Sequence, residues 1–424
     1  MPKRGGIYRK VLDYRKVNSK IHFDFYPMHI IEEALDQFAN AAIFSVLNLK
    51  SAYYHIPLAA NRRGVTALCT PFGQYEFNDL PIGIRVRAQA LSRFVDELFG
   101  DLMGRYVFNF LDNLVVYSSL PEESVTNLQE VLSRFKRSGF TPNRDKVVLG
   151  ASEIKYLCHL ISVRGVKILP EKVTAMQDYP RPAILRSLRR FIGMVDFYAR
   201  FIPSYGSVVA PLHELRKKGV SFCWRETHQA AFDSLKPAFT EAPVLQIPYY
   251  EEDFVLATDA SDVAVSAFLQ LDVNGELAPI AYQSRVLTPA ERKYRSYEKE
   301  CTAALFGCEK CRSFLQQKEL LLHCDNLTLC WLLRKVKDVG CLARWILRLV
   351  QFQFKVQHTR GRDNVVADAL SRMFIDVSEK NTQVSCDVLL DSLRLVYSSL
   401  AEHQAKDDFL CGHPAEGSGY AHWR

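Results

Sequence analysis

The chain has 424 residues, which is enough for two to four globular domains and excludes a single small module. Its hydrophobic content of 48% and charged content of 24% are those of a folded protein and exclude a disordered or collagen-like chain. A net charge of +7 permits a polyanionic partner but does not identify one.

Several features bear on the location of the protein. The basic residues near Met1 have no apolar run behind them, and no stretch of about 18 apolar residues occurs, so we expect neither a signal peptide nor a membrane partner. The eleven cysteines include Cys69 and Cys158 in apolar contexts, which predicts reduced, buried thiols. These features predict an intracellular protein, cytoplasmic or nuclear, that is not secreted.

The first third of the chain alternates short apolar runs with helical patterns. Residues 42–47 form a continuous apolar run of strand length. Residues 105–111 and 114–117 predict two more strands, joined by a hairpin at Asp112-Asn113 because both residue types tolerate positive φ. The order predicts a mixed α+β domain.

Helical spacing dominates the next part. Residues 121–138 carry apolar residues at helical intervals and stop at Gly139, a typical position just after a helix. From Pro170 to about Pro243 helical patterns are separated by prolines, which predicts a helical connecting region.

After Pro248 the pattern returns to strands. Residues 254–258 predict one strand, and residues 263–282 predict two strands around the turn Asn274-Gly275. Further elements are predicted at 297–315 (helix), 320–324 (strand), 341–350 (helix), 352–356 (strand) and 364–372 (helix). The order βββαβαβα indicates an α/β domain with a mixed sheet, followed by a polar tail or truncated linker at 374–424.

One cysteine pair has metal-like spacing. Cys308 and Cys311 form a CxxC, but no second CxxC follows and both lie on a helical apolar pattern. We therefore interpret them as part of a core helix, with a zinc site that includes His323 and Cys324 as the alternative.

Four acids share a predicted position in the third region. Asp259 and Asp325 end strands, Glu300 lies in the first turn of a helix, and Asp368 lies in the last helix. Strand ends and helix starts meet at one edge of such a sheet, and four clustered carboxylates need cations such as Mg²⁺ or Mn²⁺ between them. Two such ions would activate a water and stabilise the leaving oxygen in phosphodiester hydrolysis. Spacing alone leaves open that these are ordinary surface acids.

Five strings in this region bring a family into view. They are residues 257–261 (ATDAS), 287–292 (LTPAER), 297–300 (YEKE), 323–326 (HCDN) and 364–372 (NVVADALSR). In this order they resemble the ribonuclease H domain of gypsy-type LTR retrotransposon reverse transcriptases. The resemblance implies that Asp259, Glu300, Asp325 and Asp368 hold two Mg²⁺ or Mn²⁺ ions. It also implies a role for His358 in product release, with an ordinary strand-end histidine as the alternative.

The resemblance extends over roughly residues 3–373. The supporting strings are 3–9 (KRGGIYR), 12–18 (LDYRKVN), 70–77 (TPFGQYEF), 170–173 (PEKV) and 190–194 (RFIGM). They resemble the fingers, palm and thumb of the same enzymes. We therefore expect a multidomain α+β protein. Its expected domains are fingers and palm at 1–150, with truncated fingers, then thumb and connection at 151–245, and ribonuclease H at 246–373.

The polymerase centre departs from the family pattern. The resemblance implies three metal-binding aspartates in the palm, but this chain has Asn48 and Asn113 at two of the positions and keeps only Asp112. An amide preserves the shape of a carboxylate but lacks its negative charge and its bidentate hold on a divalent ion. Asp112 alone cannot hold two such ions.

The implied nucleotide pocket is only partly preserved. Arg9, Tyr53, Gly83 and Lys146 stand at positions that the resemblance assigns to nucleotide binding, with a solvated edge arginine as the less favoured alternative for Arg9. Two arginines, Arg85 and Arg87, depart from the family's apolar and Asn-Ala-Pro pattern.

The sequence thus predicts a retrotransposon-derived reverse transcriptase/ribonuclease H protein. We expect it to hydrolyse the RNA strand of RNA–DNA hybrids and to have lost RNA-directed DNA polymerase activity, with hybrid, RNA template and DNA as partners. A polymerase-competent enzyme and a non-catalytic nucleic-acid-binding relic are the alternatives.

Overall fold

A computed structural model describes residues 12–22, 24–27, 31–49, 52–315, 320–324, 345, 348–349 and 351–358, without the side chains of 32–34. Within these residues no helix is long and apolar enough to cross a bilayer. Contacts divide the chain into two compact units, Met1–Leu169 with Ile247–Tyr249 and Pro170–Gln246 with Tyr250–Arg424. The first unit is mixed helix and sheet, and the second combines helices with a mixed sheet, as the sequence predicts.

The first unit is built on a four-stranded antiparallel sheet. Its strands are β1 (Ile43–Asn48), β4 (Val107–Phe110), β5 (Asn113–Ser118) and β6 (Val148–Ala151), in the order β4-β5-β1-β6. The unit also contains the helices α1 (Arg15–Asn18), α2 (Ile31–Asp36), α3 (Arg87–Phe99) and α4 (Pro121–Ser138).

The two faces of this sheet bury different side chains. On one face, aliphatic residues of the strands pack against Val95 and Phe99 of α3 and Phe135 of α4. On the other face, Phe38 makes edge-to-face contacts with four rings, those of Phe44, Phe108, Tyr117 and Tyr156. Burial on both faces fixes the register of β1 and β5.

Helix α4 ends before Gly139, whose φ of 74° is left-handed, as predicted.

The predicted hairpin forms, but its turn is displaced by one residue. Phe110 pairs with Asn113, so the two turn residues are Leu111 and Asp112. Leu111 has the positive φ, at 59°, and Asn113 is the first residue of β5. The prediction of an Asp112-Asn113 turn was therefore wrong, and the displacement places Asn113 in the sheet.

Two small sheets complete the first unit. Strands β2 (Leu68–Thr70) and β3 (Gly73–Tyr75) form a hairpin, and β7 (Glu153–Tyr156), β8 (His159–Ser162) and β9 (Gly165–Ile168) form a meander. The sequence analysis did not predict this meander.

The second unit begins with four helices. These are α5 (Pro170–Gln177), α6 (Leu185–Phe197), α7 (Tyr205–Glu214) and α8 (Glu226–Thr240). Helix α6 buries one apolar face, which confirms the predicted helical spacing. Gly206 of α7 approaches strand β12 (Glu276–Val286) so closely that an added Cβ would lie 2.8 Å from the Cα of Arg285.

A five-stranded mixed sheet follows, in which β12 is joined by β10 (Asp253–Ala260), β11 (Ala264–Val273), β13 (Leu320–Cys324) and β14 (Phe354–His358). The strand order is β12-β11-β10-β13-β14. Strands β10, β11 and β12 are antiparallel, whereas β10, β13 and β14 are parallel. The β11–β12 turn has positive φ at both Asn274 and Gly275, as predicted. The predicted helix at 364–372 and most of that at 341–350 lie outside the described residues.

Helix α9 (Ser296–Lys310) crosses β10 and β11, and the short α10 (Arg312–Leu315) follows it. Gly307 permits the close approach, because its added Cβ would lie 2.9 Å from the Cβ of Ala267. Cys301, Cys308, Cys311 and Cys324 are buried thiols, but Cys69 and Cys158 are exposed. The prediction that the latter two are buried was wrong, because each lies in or beside a surface hairpin that its apolar neighbours do not reveal.

Candidate active sites

The palm positions meet at one end of the first sheet. Asn48 ends β1 and pairs in register with Asn113, the first residue of β5, and Asp112 precedes Asn113 in the turn. Backbone hydrogen bonds hold this end together. The Leu49 amide donates to the Asp112 carbonyl at 2.8 Å, and the Asn143 amide donates to the Asn48 carbonyl at 2.7 Å.

The three side chains bind one another. Asn48 Nδ2 donates to Asn113 Oδ1 at 2.7 Å, and Asn113 Nδ2 donates to Asp112 Oδ1 at 3.3 Å. Two of the four side-chain oxygens in this group therefore already accept hydrogen bonds. Two Mg²⁺ ions need several oxygen ligands and compensating negative charge, but this group offers one carboxylate and a chain of amide donors. These residues do not fit a two-metal site.

An arginine covers the ring of Tyr53. The Arg87 guanidinium, at the start of α3, lies 5.0 Å from the centre of the Tyr53 ring, which is a cation–π contact. Tyr53 itself packs against the apolar core of the first unit. The Tyr53 side chain, which the sequence analysis assigns to nucleotide binding, is therefore in contact with another side chain of the protein.

The other predicted nucleotide contacts are dispersed. Gly83 has a φ of 115°, and its carbonyl accepts a hydrogen bond from Asn18 Nδ2 at 2.8 Å. An added Cβ there would meet the Tyr14 ring at 3.1 Å, so this glycine has a packing role. Lys146 is exposed in a 3₁₀ turn at Arg144–Lys146. Arg9 lies outside the described residues.

In the second unit two buried carboxylates approach the same sheet edge. Asp259 lies near the end of β10, where it pairs in register with Ser266, and it is 2% exposed. Glu300, in the first half of α9, is 4% exposed and accepts a hydrogen bond from the backbone amide of Ala260 at 3.3 Å. This contact ties Glu300 to the residue that follows Asp259. Buried carboxylates at a strand end suit hard divalent cations, so these two residues fit a metal site.

The remaining predicted ligands can be placed only in part. His358 ends β14 and pairs in register with Cys324, which ends β13. Asp325 and Asp368 lie outside the described residues, and within the described part of the chain no cluster of three or more metal-ligating side chains occurs. The four-carboxylate site therefore stays a prediction.

The sequence analysis did not single out Lys299, which lies beside Glu300. Its ammonium group is 2.6 Å from Asp262 Oδ1, in the loop after β10. The available signal was its place inside the YEKE string, but nothing in that string separates a buried lysine from a solvated one.

The thiols of the CxxC are packed in the core. Burial raises the pKa of Cys311 to about 12 and also raises the pKa of Cys308. Raised pKa values disfavour the thiolates that zinc requires. Cys308 therefore lies in the core helix α9 and Cys311 caps its end, both as buried thiols, in agreement with the favoured interpretation.

Comparison with known proteins identifies the family. The model described as "Reverse transcriptase (RNA-dependent DNA polymerase)" matches residues 1–161, and that described as "RNase H-like domain found in reverse transcriptase" matches residues 224–322. The Pol polyproteins of the Drosophila melanogaster transposons 297 and 412 are 30% and 31% identical over 92% and 87% of this chain. The chain belongs to the reverse transcriptase/ribonuclease H family of LTR retrotransposon Pol polyproteins.

The relatives are longer than this reverse transcriptase/ribonuclease H chain. The Transposon Tf2-7 polyprotein of Schizosaccharomyces pombe is 29% identical over 89% of the chain. The chain spans 36%, 30% and 29% of the 297, 412 and Tf2-7 polyproteins, about a third of their length.

Solved structures support the fold of this reverse transcriptase/ribonuclease H chain. The foamy viral protease-reverse transcriptase in complex with dsDNA matches with a TM-score of 0.76 and 20% identity, over 85% of this chain and 76% of that one. The same protein in complex with RNA/DNA hybrid matches with a TM-score of 0.71 and 19% identity, over 88% of this chain and 51% of that one. At these identities the likeness shows the fold alone.

Proposed function

We propose that this chain hydrolyses the RNA strand of RNA–DNA hybrids in a reaction that depends on divalent metal, and that it no longer adds nucleotides. The observation that carries the proposal is the contrast between the two sites. Asp259 and Glu300 keep buried carboxylates at one sheet edge, whereas Asn48 and Asn113 bind each other through their amides.

The proposed hydrolytic site depends on two buried carboxylates, of which that of Glu300 accepts a hydrogen bond from the backbone. Asp259, Glu300, Asp325 and Asp368 would bind the metal. When bound, Mg²⁺ or Mn²⁺ would supply activation of a water nucleophile and stabilisation of the leaving oxygen. The Ala260 amide orients Glu300, and burial strengthens the attraction of both carboxylates for a cation. His358 is proposed to act at the same sheet edge in product release.

The proposed loss of polymerase activity follows from charge. Two divalent cations bring four positive charges, and the palm group supplies one negative charge, that of Asp112. The hydrogen bonds among Asn48, Asn113 and Asp112 stabilise the sheet end without a cation. The fold of the palm can therefore persist where its chemistry cannot.

One pair of assays tests the proposal. The purified protein is supplied with Mg²⁺ or Mn²⁺ and either a labelled RNA–DNA hybrid or a primed RNA template. We expect cleavage of the RNA strand and no primer extension. Extension by the unmodified protein would support a polymerase-competent enzyme. Tight hybrid binding without metal-dependent cleavage would instead support a nucleic-acid-binding relic.

Mutation of a predicted ligand outside the described residues extends the test. We expect Asp325→Asn to reduce cleavage by about two to four orders of magnitude, since it removes a group essential to the reaction. Hybrid binding should be retained and should weaken steeply with salt, because backbone phosphates dominate it. Cleavage within about threefold of the parent would contradict the proposed quartet.

The intracellular location also stays a proposal.

A further inference from the structure

A buried lysine lies beside the proposed hydrolytic site. The side chain of Lys299 is only 10% exposed, yet its ammonium group contacts the carboxylate of Asp262, which is 84% exposed. Nζ and Oδ1 are 2.6 Å apart. Among the described residues, Asp262 is the one whose side chain contacts this ammonium group. The lysine stem is therefore packed in protein while its charge reaches the surface.

The loop that carries Asp262 is fixed by its neighbour. Ser261 Oγ accepts hydrogen bonds from the backbone amides of Val263 and Ala264, at 3.2 and 3.0 Å, and donates to the Ala264 carbonyl at 3.1 Å. Because β10 ends at Ala260, the loop starts at Ser261, two residues after Asp259. The ion pair is therefore held at the edge where Asp259 and Glu300 lie.

The chemistry of the ion pair allows the Asp262 carboxylate to be replaced by another anion. Asp262 is hydrated and makes its ion pair at the surface, where such a pair is weak and readily replaced. A phosphodiester oxygen has the same hard, anionic character as a carboxylate oxygen, and an ammonium group binds either. Lys299 is far less able to leave, because its stem is buried. The carboxylate can thus be replaced while the cation keeps its position.

We propose that Lys299 binds a backbone phosphate of the nucleic acid next to the hydrolytic site, and that Asp262 occupies this phosphate position in the unbound protein. The proposal rests on the proposed function, because the hybrid is the polyanion expected there. Only ionic contacts change: the ammonium releases the Asp262 carboxylate and binds a phosphate oxygen. Lys299 is thus a substrate-positioning residue.

Hybrid binding measured in EDTA tests the proposal without cleavage. The variants are Lys299→Gln and Asp262→Asn, with Lys217→Gln as a control, because Lys217 forms a pair with Glu214 in which both side chains are exposed, at 62% and 61%. For Lys299→Gln we expect affinity to fall about 3- to 10-fold at low salt, and the slope of log K against log salt to become shallower by about one. Asp262→Asn should bind equally or more tightly. The control should match the parent.

Two results would overturn the proposal. The first is an unchanged affinity and salt slope for Lys299→Gln. The second is equal weakening by Lys299→Gln and Asp262→Asn, which would mean that the pair only holds the loop. If Lys299→Gln fails to fold, Lys299→Arg and Asp262→Asn decide. The proposal is supported if Lys299→Arg keeps the salt slope of the parent and Asp262→Asn binds hybrid as tightly as the parent or more tightly. It is overturned if both variants bind hybrid more weakly than the parent.

The same data separate this inference from the proposed function. A protein that binds hybrid with a Lys299-dependent slope but never cleaves it would contradict the proposed hydrolysis alone. A protein that cleaves hybrid but shows no change of slope would contradict the phosphate contact alone. Absence of hybrid binding would contradict both.

Discussion

Restoration of the palm carboxylates provides a double-mutant cycle whose sign follows from the structure. In Asn113→Asp the Asn48 amide can donate to the new carboxylate across the present 2.7 Å contact, whereas in Asn48→Asp the Asn113 amide can do so only after a rotation that gives up its bond to Asp112. We therefore expect each single change to alter the free energy of unfolding by less than about 1–2 kcal/mol. The double change removes every amide donor from the pair and places two new negative charges side by side, in addition to that of Asp112.

The magnitude of the coupling can be worked out from Coulomb's law. Two unit charges about 4 Å apart repel by about 4 kcal/mol at an effective dielectric constant of 20 and by about 1 kcal/mol in water. Asn48 and Asn113 are half-buried, so the metal-free double variant should be less stable than additivity predicts by roughly 2–3 kcal/mol. Excess Mg²⁺ should remove most of this coupling, because bound cations neutralise the carboxylates.

Urea unfolding of the four proteins, in EDTA and in Mg²⁺, measures the coupling. The hydrolytic site responds to Mg²⁺ in all four, so its contribution cancels in the cycle. Primer extension should appear, if weakly, only in the double variant, and addition of Arg87→Ala should increase it by uncovering the Tyr53 ring. Additive free energies in EDTA would refute the reasoning, because the two side chains would then not share one site.

Three further predictions concern stability. Gly206→Ala should destabilise the protein by about 1–3 kcal/mol, because its Cβ would meet backbone atoms at 2.8 Å. Gly193→Ala, in an open helix position, should stabilise the protein by about 0.5–1 kcal/mol. Similar urea midpoints for the two variants would contradict this prediction. Asn109→Val should stabilise the protein by about 1–3 kcal/mol, because the buried Asn109 Oδ1 has no hydrogen-bond partner among the described residues. A lower unfolding midpoint would show that the amide is satisfied. The hydrogen bond from Arg285 lowers the pKa of Glu291 from 4.5 to about 2, so its contribution is present above pH 4.5 and is lost as pH falls towards 2. Glu291→Gln should flatten the pH dependence of the urea midpoint over that interval, and an unchanged profile would contradict the assignment.

Elements with strong local signals could be predicted from the sequence. Helix α4 has a proline at its first position and a glycine just after its end, and the β11–β12 turn has Asn274 and Gly275, both with positive φ. These residues favour the observed conformation by themselves.

Elements with weak local signals could not be predicted. The β7–β8 turn places Leu157 and Cys158 at φ values of 46° and 66°, which neither residue type favours. The turn at Leu111 is similar, and there pairing within the sheet overrides the preference of Asp112-Asn113. In these cases tertiary pairing, which the local sequence does not encode, determines the backbone.

The candidate sites divide in the same way. The sequence alone assigns Asp259, Glu300, Asn48 and Asn113 to the two sites, because these residues lie in strings that occur in the same order as in the family. The hydrogen bond between the two asparagines and the cover of Arg87 over Tyr53 were not, because they depend on side-chain contacts between distant segments.

The most direct test of the central claim compares the parent with Asp259→Asn on a labelled RNA–DNA hybrid in Mg²⁺, with a primed RNA template in parallel. The parent should cleave the RNA strand and extend no primer, and Asp259→Asn should lower the cleavage rate by about 10²- to 10⁴-fold while hybrid affinity in EDTA is unchanged. Cleavage that survives Asp259→Asn, or primer extension by the unmodified protein, would contradict the account.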